Sequence, residues 1–127
     1  MGQYLIDNNV ISNYFTESFP QKTMSFISDV IDKIPNISVI TEIEALSWIA
    51  PDKLYETIIN EFIKNANILP LTKNVVTECV QIRRNKKIKT PDAIIAATAI
   101  VNGLTLITND SDFINIRHLQ TMNPLFV

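Results

Sequence analysis

Six acidic residues occupy positions where a carboxylate can do chemistry. Asp7 follows the apolar run Tyr4-Leu5-Ile6, and Glu42 and Glu44 follow Ile37-Ser38-Val39-Ile40. Asp110 and Asp112 follow Leu104-Thr105-Leu106-Ile107, while Asp92 opens the segment that feeds that run. If the apolar runs are neighbouring parallel strands, these carboxylates collect beyond one end of a sheet, where open α/β sheets bind their ligands. Two unit charges ~4 Å apart repel by roughly 4 kcal/mol at an effective dielectric near 20. Helix N-termini offset part of that repulsion, and the usual remedies for the rest are a raised pKa or a bound cation. Hard cations such as Mg²⁺ take carboxylate and water oxygens and keep positions open for phosphates. A pair of such ions roughly 4 Å apart activates a water and stabilises the leaving oxygen in phosphodiester cleavage. Zinc has no donor set, because His118 and Cys79 are the single examples of their types.

Each carboxylate also has a plain structural explanation. Asp7 suits the cap of a following helix. Thr41 and Glu44 have the spacing of a capping box. Asp92 near a helix start is favoured by the macrodipole, by roughly 0.3–1 kcal/mol. Asp110 and Asp112 are ordinary turn or cap residues. The convergence of all of them is what points to a site. Glu42 and Glu44 lie about 200° apart around a helix, so they face different ways. Ile43, Leu46 and Ile49 are expected to mark the core side, but they leave the choice between the two glutamates open.

The elements that must position these groups follow from periodicity and punctuation. Tyr4 to Ile6 reads as a buried strand, with a short helix from Asn8 to Phe15 after it. Met24, Ile27, Ile31 and Ile34 have helical spacing over residues 21–34, and Pro35 stops that helix. Ile37 to Ile40 is the second strand, followed by a helix over 42–50. Pro51 is placed to begin the next helix, which runs to about Lys64. Residues 68–71 form a weaker third strand, and 72–87 a helix. Thr90-Pro91-Asp92 predicts a helix start with Thr90 as cap. That helix runs to Asn102, is apolar on nearly every side, and therefore belongs deep in the core. Gly103 ends it. Leu104 to Ile107 is the fourth strand, and the tail has room for a short helix and a last strand near 119–122. Strands alternating with helices imply a three-layer α/β/α fold around a mostly parallel sheet of four to five strands. No repeat, linker or second domain interrupts it, so 1–127 reads as a single domain.

The bulk properties narrow the class. The chain has 127 residues and is 46% hydrophobic, enough for a core and too much for a disordered segment. One cysteine allows no internal disulfide, which fits a reducing, cytoplasmic setting. No apolar run approaches the ~20 residues that span a bilayer. No signal peptide is expected, and Gly2 is followed by Ile6 where a myristoylation pattern needs Ser or Thr. The net charge of −2 is unlike a typical nucleic-acid binder. Its distribution is more informative. Five of the eleven basic residues, Arg83, Arg84, Lys86, Lys87 and Lys89, form one run, leaving six against thirteen acidic residues elsewhere. Such a run is either a solvated helix end or a dock for a polyanion beside cation-holding acids.

Four segments together resemble the PIN-domain family, specifically its VapC-type toxin ribonucleases. They are residues 4–12 (YLIDNNVIS), 38–46 (SVITEIEAL), 90–99 (TPDAIIAATA) and 106–113 (LITNDSDF), in the family's order from first strand to last. The resemblance implies that Asp7, Glu44 and Asp92 are the first three acidic positions, which selects Glu44 over Glu42. Asp110 aligns with the fourth, and Asp112 is placed to share that role. Asn9 is implied to support Asp7, and Thr108 is taken as a second supporting residue. Asn8 stands where the family usually has Thr, which puts the metal geometry in question.

The implied activity is that of an endoribonuclease using Mg²⁺ or Mn²⁺, hydrolysing RNA by metal-activated water, as the toxin of a toxin–antitoxin pair. The basic run, directly before Asp92, is then expected to hold RNA phosphates in a salt-sensitive way. A cognate antitoxin and a homodimer are the implied partners. The alternative is a catalytically weak PIN domain that binds RNA or antitoxin. A phospho-acceptor domain fits less well, because only one Asp ends the first strand.

Overall fold

The computed structural model describes residues 3–127; Met1 and Gly2, where a lipidation motif was considered, lie outside the described residues. The chain forms a five-stranded, wholly parallel sheet with six α-helices. The first strand, β1 (Tyr4–Ile6), leads into helix α1 (Asn8–Phe15) and then α2 (Gln21–Asp32). Next come β2 (Asn36–Ser38), α3 (Val39–Ser47), α4 (Lys53–Asn65) and β3 (Asn67–Leu69). Helices α5 (Lys73–Asn85) and α6 (Thr90–Val101) precede β4 (Thr105–Ile107). A 3₁₀ turn (Ser111–Phe113), β5 (Thr121–Met122) and a second 3₁₀ turn (Pro124–Phe126) complete the fold. The strand order is β3-β2-β1-β4-β5. The chain builds outward from β1 in one direction and then returns to build in the other. The order therefore reverses between β1 and β4, the kind of crevice where doubly wound sheets bind ligands.

Alternation along the strands makes the two layers. Leu5 and Leu106 face the cluster that contains Val75, Cys79, Ile82 and the buried side of α6. Their neighbours Ile6 and Ile107 face the other cluster, with Val10, Ile11, Ile27, Ile59 and Phe62. Successive residues in a strand point to opposite faces, so a three-residue strand is enough to feed both cores. Helix α6 buries Ala93, Ile95, Ala96, Ala97, Thr98 and Ala99, as its nearly uniform apolarity requires. Gly103 ends it with φ of 66°, the left-handed conformation expected of glycine after a helix.

Several boundaries differ from the sequence reading. The second strand is Asn36–Ser38, not residues 37–40, because Ser38 caps α3 with its hydroxyl accepting from Thr41 N–H at 3.0 Å. Thr41 is thus inside the helix, and no Thr41–Glu44 capping box forms at its start. Helix α2 ends at Asp32, two residues early, and Ile34 is exposed. Pro51 precedes α4, whose cap is Asp52. Helix α6 begins one residue earlier than expected, with Lys89 as the capping residue, so Thr90 and Pro91 already lie in the first turn. The largest reversal concerns α3. Thr41 and Ala45 are its buried residues, whereas Ile43 and Leu46 are 54 and 49% exposed; the helix ends at Ser47, so Ile49, 88% exposed, lies beyond it. The apolar spacing is helical, but its face is turned away from the chain's own core.

Phe113 is 1% exposed and anchors the 3₁₀ turn that carries Asp112. Phe113→Ala is expected to cost about 3–5 kcal/mol of stability, the usual range for a buried phenylalanine. Urea unfolding of the purified variant reads this directly.

Candidate metal centre

Three of the acidic residues in the C-terminal half come together. Asp92, Asp110 and Asp112 each offer a carboxylate oxygen, and these oxygens all lie within 4.8 Å of one another. Asp92 sits in the first turn of α6, where the helix N-terminus favours an anion. Asp110 caps the 3₁₀ turn, its Oδ1 accepting from Asp112 N–H at 2.9 Å. Asp110 is therefore both a cap and a member of the cluster. The tight turn brings the Asp110 and Asp112 carboxylates to the same place.

Asp7 ends β1 and is 5% exposed. Its Oδ1 accepts from Asn8 N–H at 2.8 Å, and its Oδ2 accepts from the Thr108 hydroxyl at 2.9 Å. The Thr108 oxygen in turn accepts from Asp110 N–H at 3.1 Å. One hydroxyl thus ties the end of β1 to the turn after β4. The contact that Asn8 makes with Asp7 comes from its backbone, which is the same for Asn and Thr. No hydrogen bond joins the Asn9 side chain to Asp7 among the described residues; Asn9 lines a groove with Glu44 instead. Glu44 is outside the tight group of three, but it feels the charges of Asp7 and Asp92.

The electrostatics show the cost of this arrangement. Burial pushes the Asp7 carboxyl above its usual range, hydrogen bonds from Thr108 and Asn8 oppose the shift, and Asp110 and Asp92 reinforce it. Glu44 is raised by burial and then by Asp7 and Asp92. Asp92 is raised by burial, then by Asp110 and Asp112, with Lys89 pulling the other way. Five carboxylates from distant parts of the chain therefore form one repelling set with a single basic neighbour opposing it at Asp92. Hard oxygen donors at this density fit Mg²⁺ or Mn²⁺.

The basic run wraps the end of α5. Arg83 and Arg84 occupy its last turn, where cations oppose the helix dipole, and Arg83 Nε donates to Ile88 O at 3.3 Å. Lys86 Nζ donates to Ile114 O at 3.0 Å, close in sequence to Asp112. Lys87 and Lys89 are exposed. The run lies largely exposed at and beyond the end of α5, in the segment that leads to Asp92.

The sequence matches the model of the PIN domain over residues 4–119. The chain belongs to the PIN domain family. Solved structures similar to this PIN domain include a toxin–antitoxin complex from Klebsiella pneumoniae, 27% identical, with a TM-score of 0.76. That alignment covers 95% of this chain and 97% of the other. DNA-bound VapBC from Salmonella typhimurium is 21% identical with a TM-score of 0.77, covering 98% and 99% of the two chains. FitAcB from Neisseria gonorrhoeae is 24% identical with a TM-score of 0.76 over the same shares. No match was found among curated proteins. The five-stranded parallel sheet and its flanking helices are the α/β/α architecture that the alternation of strands and helices implied. No helix among the described residues is long and apolar enough to cross a membrane.

Removing the Thr108 hydroxyl tests its bridging role in this PIN domain. Thr108→Val is expected to lower metal affinity or metal-dependent activity about 10–100-fold, the range for residues that orient a metal ligand. Metal titration followed by calorimetry checks this, with thermal unfolding confirming an intact fold.

Proposed function

We propose that this PIN domain, read as one domain over 1–127, is a Mg²⁺- or Mn²⁺-dependent endoribonuclease and the toxin of a toxin–antitoxin pair. The observation that carries this reading is the gathering of Asp7, Glu44, Asp92, Asp110 and Asp112 at the β1/β4 crevice. Asp92, Asp110 and Asp112 would hold the cation, with Asp7 and Glu44 completing the set. When bound, the cation supplies positive charge toward a phosphodiester and makes a water acidic enough to react near neutral pH. Thr108 fixes the Asp7 carboxylate and the Asp110 backbone relative to each other, which holds the donors at working distance. Arg83, Arg84, Lys86, Lys87 and Lys89 position RNA through its phosphates, without reading its bases. A cytoplasmic setting places the protein with its substrate.

The neighbouring complexes support an antitoxin partner. A groove of about 560 Å³, lined in part by Asn9, Ser12, Glu44, Trp48 and Ile59, opens beside the acidic set. With the exposed Ile43, Leu46 and Ile49 nearby in sequence, it suits a peptide that is partly apolar and carries a basic side chain toward the carboxylates. A homodimer would cover Leu71, Val76 and Val80, which are exposed along and beside α5.

The test is incubation of purified, antitoxin-free protein with a mixed transfer and messenger RNA pool in Mg²⁺, in Mn²⁺ and in excess EDTA. Discrete fragments that EDTA abolishes support the reading. Intact RNA in every tube, from folded protein, overturns it in favour of a binding module.

A further inference from the structure

A second cleft, of about 420 Å³, lies between the C-terminal half of α5 and the segment after the 3₁₀ turn. Its walls include Glu78, Gln81 and Lys86 on one side and Asn115, Arg117 and His118 on the other. The chain enters this segment directly from Asp112 and Phe113. Lys86, which lines the cleft, donates to Ile114 O, two residues after Asp112 in the chain. Ile82 and Ile116, both buried, also line it.

Asn115 and His118 take left-handed φ values of 66° and 70°, a region that Asn and His enter more readily than most residues. They bracket Arg117, which is exposed, as is His118. Among the described residues, neither Arg117 nor His118 has a hydrogen bond or ion pair. Lys86 and Arg117 set two fixed positive charges against Glu78. Large exposed apolar side chains, which a docking protein helix would need, are missing from the described lining. The wall instead offers a cation for phosphate and two planar groups, guanidinium and imidazole, on which unstacked bases rest.

We infer that this cleft holds the single-stranded RNA on one side of the scissile bond, with Arg117 on the phosphate backbone and His118 beneath a base. The inference rests on the ribonuclease reading and adds a binding track to it. Arg117 and His118 act on substrate position and leave the acidic set untouched.

The experiment uses Asp92→Asn protein, which is expected to hold RNA without cutting it, and a short fluorescein-labelled single-stranded RNA read by anisotropy across a salt series. Adding Arg117→Ala is expected to weaken binding about 5–10-fold and to reduce the slope of log affinity against log salt by about 0.7, one phosphate contact. Arg117→Lys restores the slope. His118→Asn, which tolerates the left-handed backbone, weakens binding about 10-fold with the slope unchanged, as loss of stacking requires. In protein with Asp92 intact, the same changes raise KM and leave kcat near its original value. Exposed Lys64 on α4 serves as the control through Lys64→Ala. If the Arg117 and His118 variants bind RNA like the Lys64 control while intact protein cleaves, the cleft is not the track and the nuclease reading stands. If the Asp92→Asn parent binds no RNA and intact protein does not cleave, both fall together.

Discussion

Asp92→Asn is expected to reduce metal-dependent RNA cleavage by more than about 100-fold, beyond the effect of losing a residue that merely orients a ligand. Asp92 is the member of the set that meets most of the others. Its carboxylate is grouped with Asp110 and Asp112, and its charge is felt by both Asp7 and Glu44. Asparagine keeps the size and one oxygen but removes the charge that a hard cation needs. The fold has little to lose. The first turn of α6 gives up a favourable dipole interaction of roughly 0.3–1 kcal/mol. Relief of repulsion from Asp110 and Asp112 works in the opposite direction. Fragment formation timed on one defined RNA, beside thermal unfolding of both proteins, separates chemistry from folding. Cleavage at the parent rate by a folded variant would remove Asp92 from the site.

Divalent cation is expected to stabilise the protein strongly, and more so near neutral pH than in mild acid. Asp7, Glu44 and Asp92 all have carboxyl pKa values raised in the folded chain, with burial the largest cause and neighbouring carboxylates adding to it. A group raised in this way favours folding below its unfolded-state pKa. That contribution is lost as pH rises through the folded-state pKa. Without cation, stability therefore declines from the ordinary carboxylate range upward through the raised values. Bound Mg²⁺ replaces protons in the set, so it competes poorly in acid and well near neutrality. At a concentration of 100 times its Kd it stabilises by about 2.7 kcal/mol, or roughly 10 °C in a domain of this size. Melting curves with Mg²⁺ and with EDTA at both pH values measure the difference. An increment that does not change with pH would break the link between these carboxylates and the cation.

The parts of the site that were legible in the sequence depend on short-range pattern. Asp7 ends a short apolar run, Asp110 and Asp112 follow another, and Asp92 opens a helix whose start is written in Pro91. The strand alternation then places these positions without further information. What could not be read depends on competition between local signals or on surroundings. Val39 and Ile40 are β-branched and favour a strand, yet the Ser38 hydroxyl claims Thr41 N–H and starts α3 before them. The stripe of Ile43, Leu46 and Ile49 has the same period whether it meets its own core or a partner, so spacing alone could not orient it. The Arg117–His118 cleft depends on two left-handed residues that are not glycine, and no local pattern announces them. Thr108 was expected to assist, but its pair of hydrogen bonds, one donated to Asp7 and one accepted from Asp110 N–H, is a property of the assembled sheet.

That pair of hydrogen bonds also sets a timetable. Thr108 and Asp7 are 101 residues apart, and the chain emerges from the ribosome with Asp7 first. At about 5–20 residues per second, roughly 5–20 seconds separate the synthesis of the two partners. Through that interval the growing chain lacks Asp110 and Asp112 as well, so it carries only part of the acidic set. A protein that cuts RNA would thus spend most of its own translation unable to attack the message encoding it, and would become competent only as the last strands join the sheet.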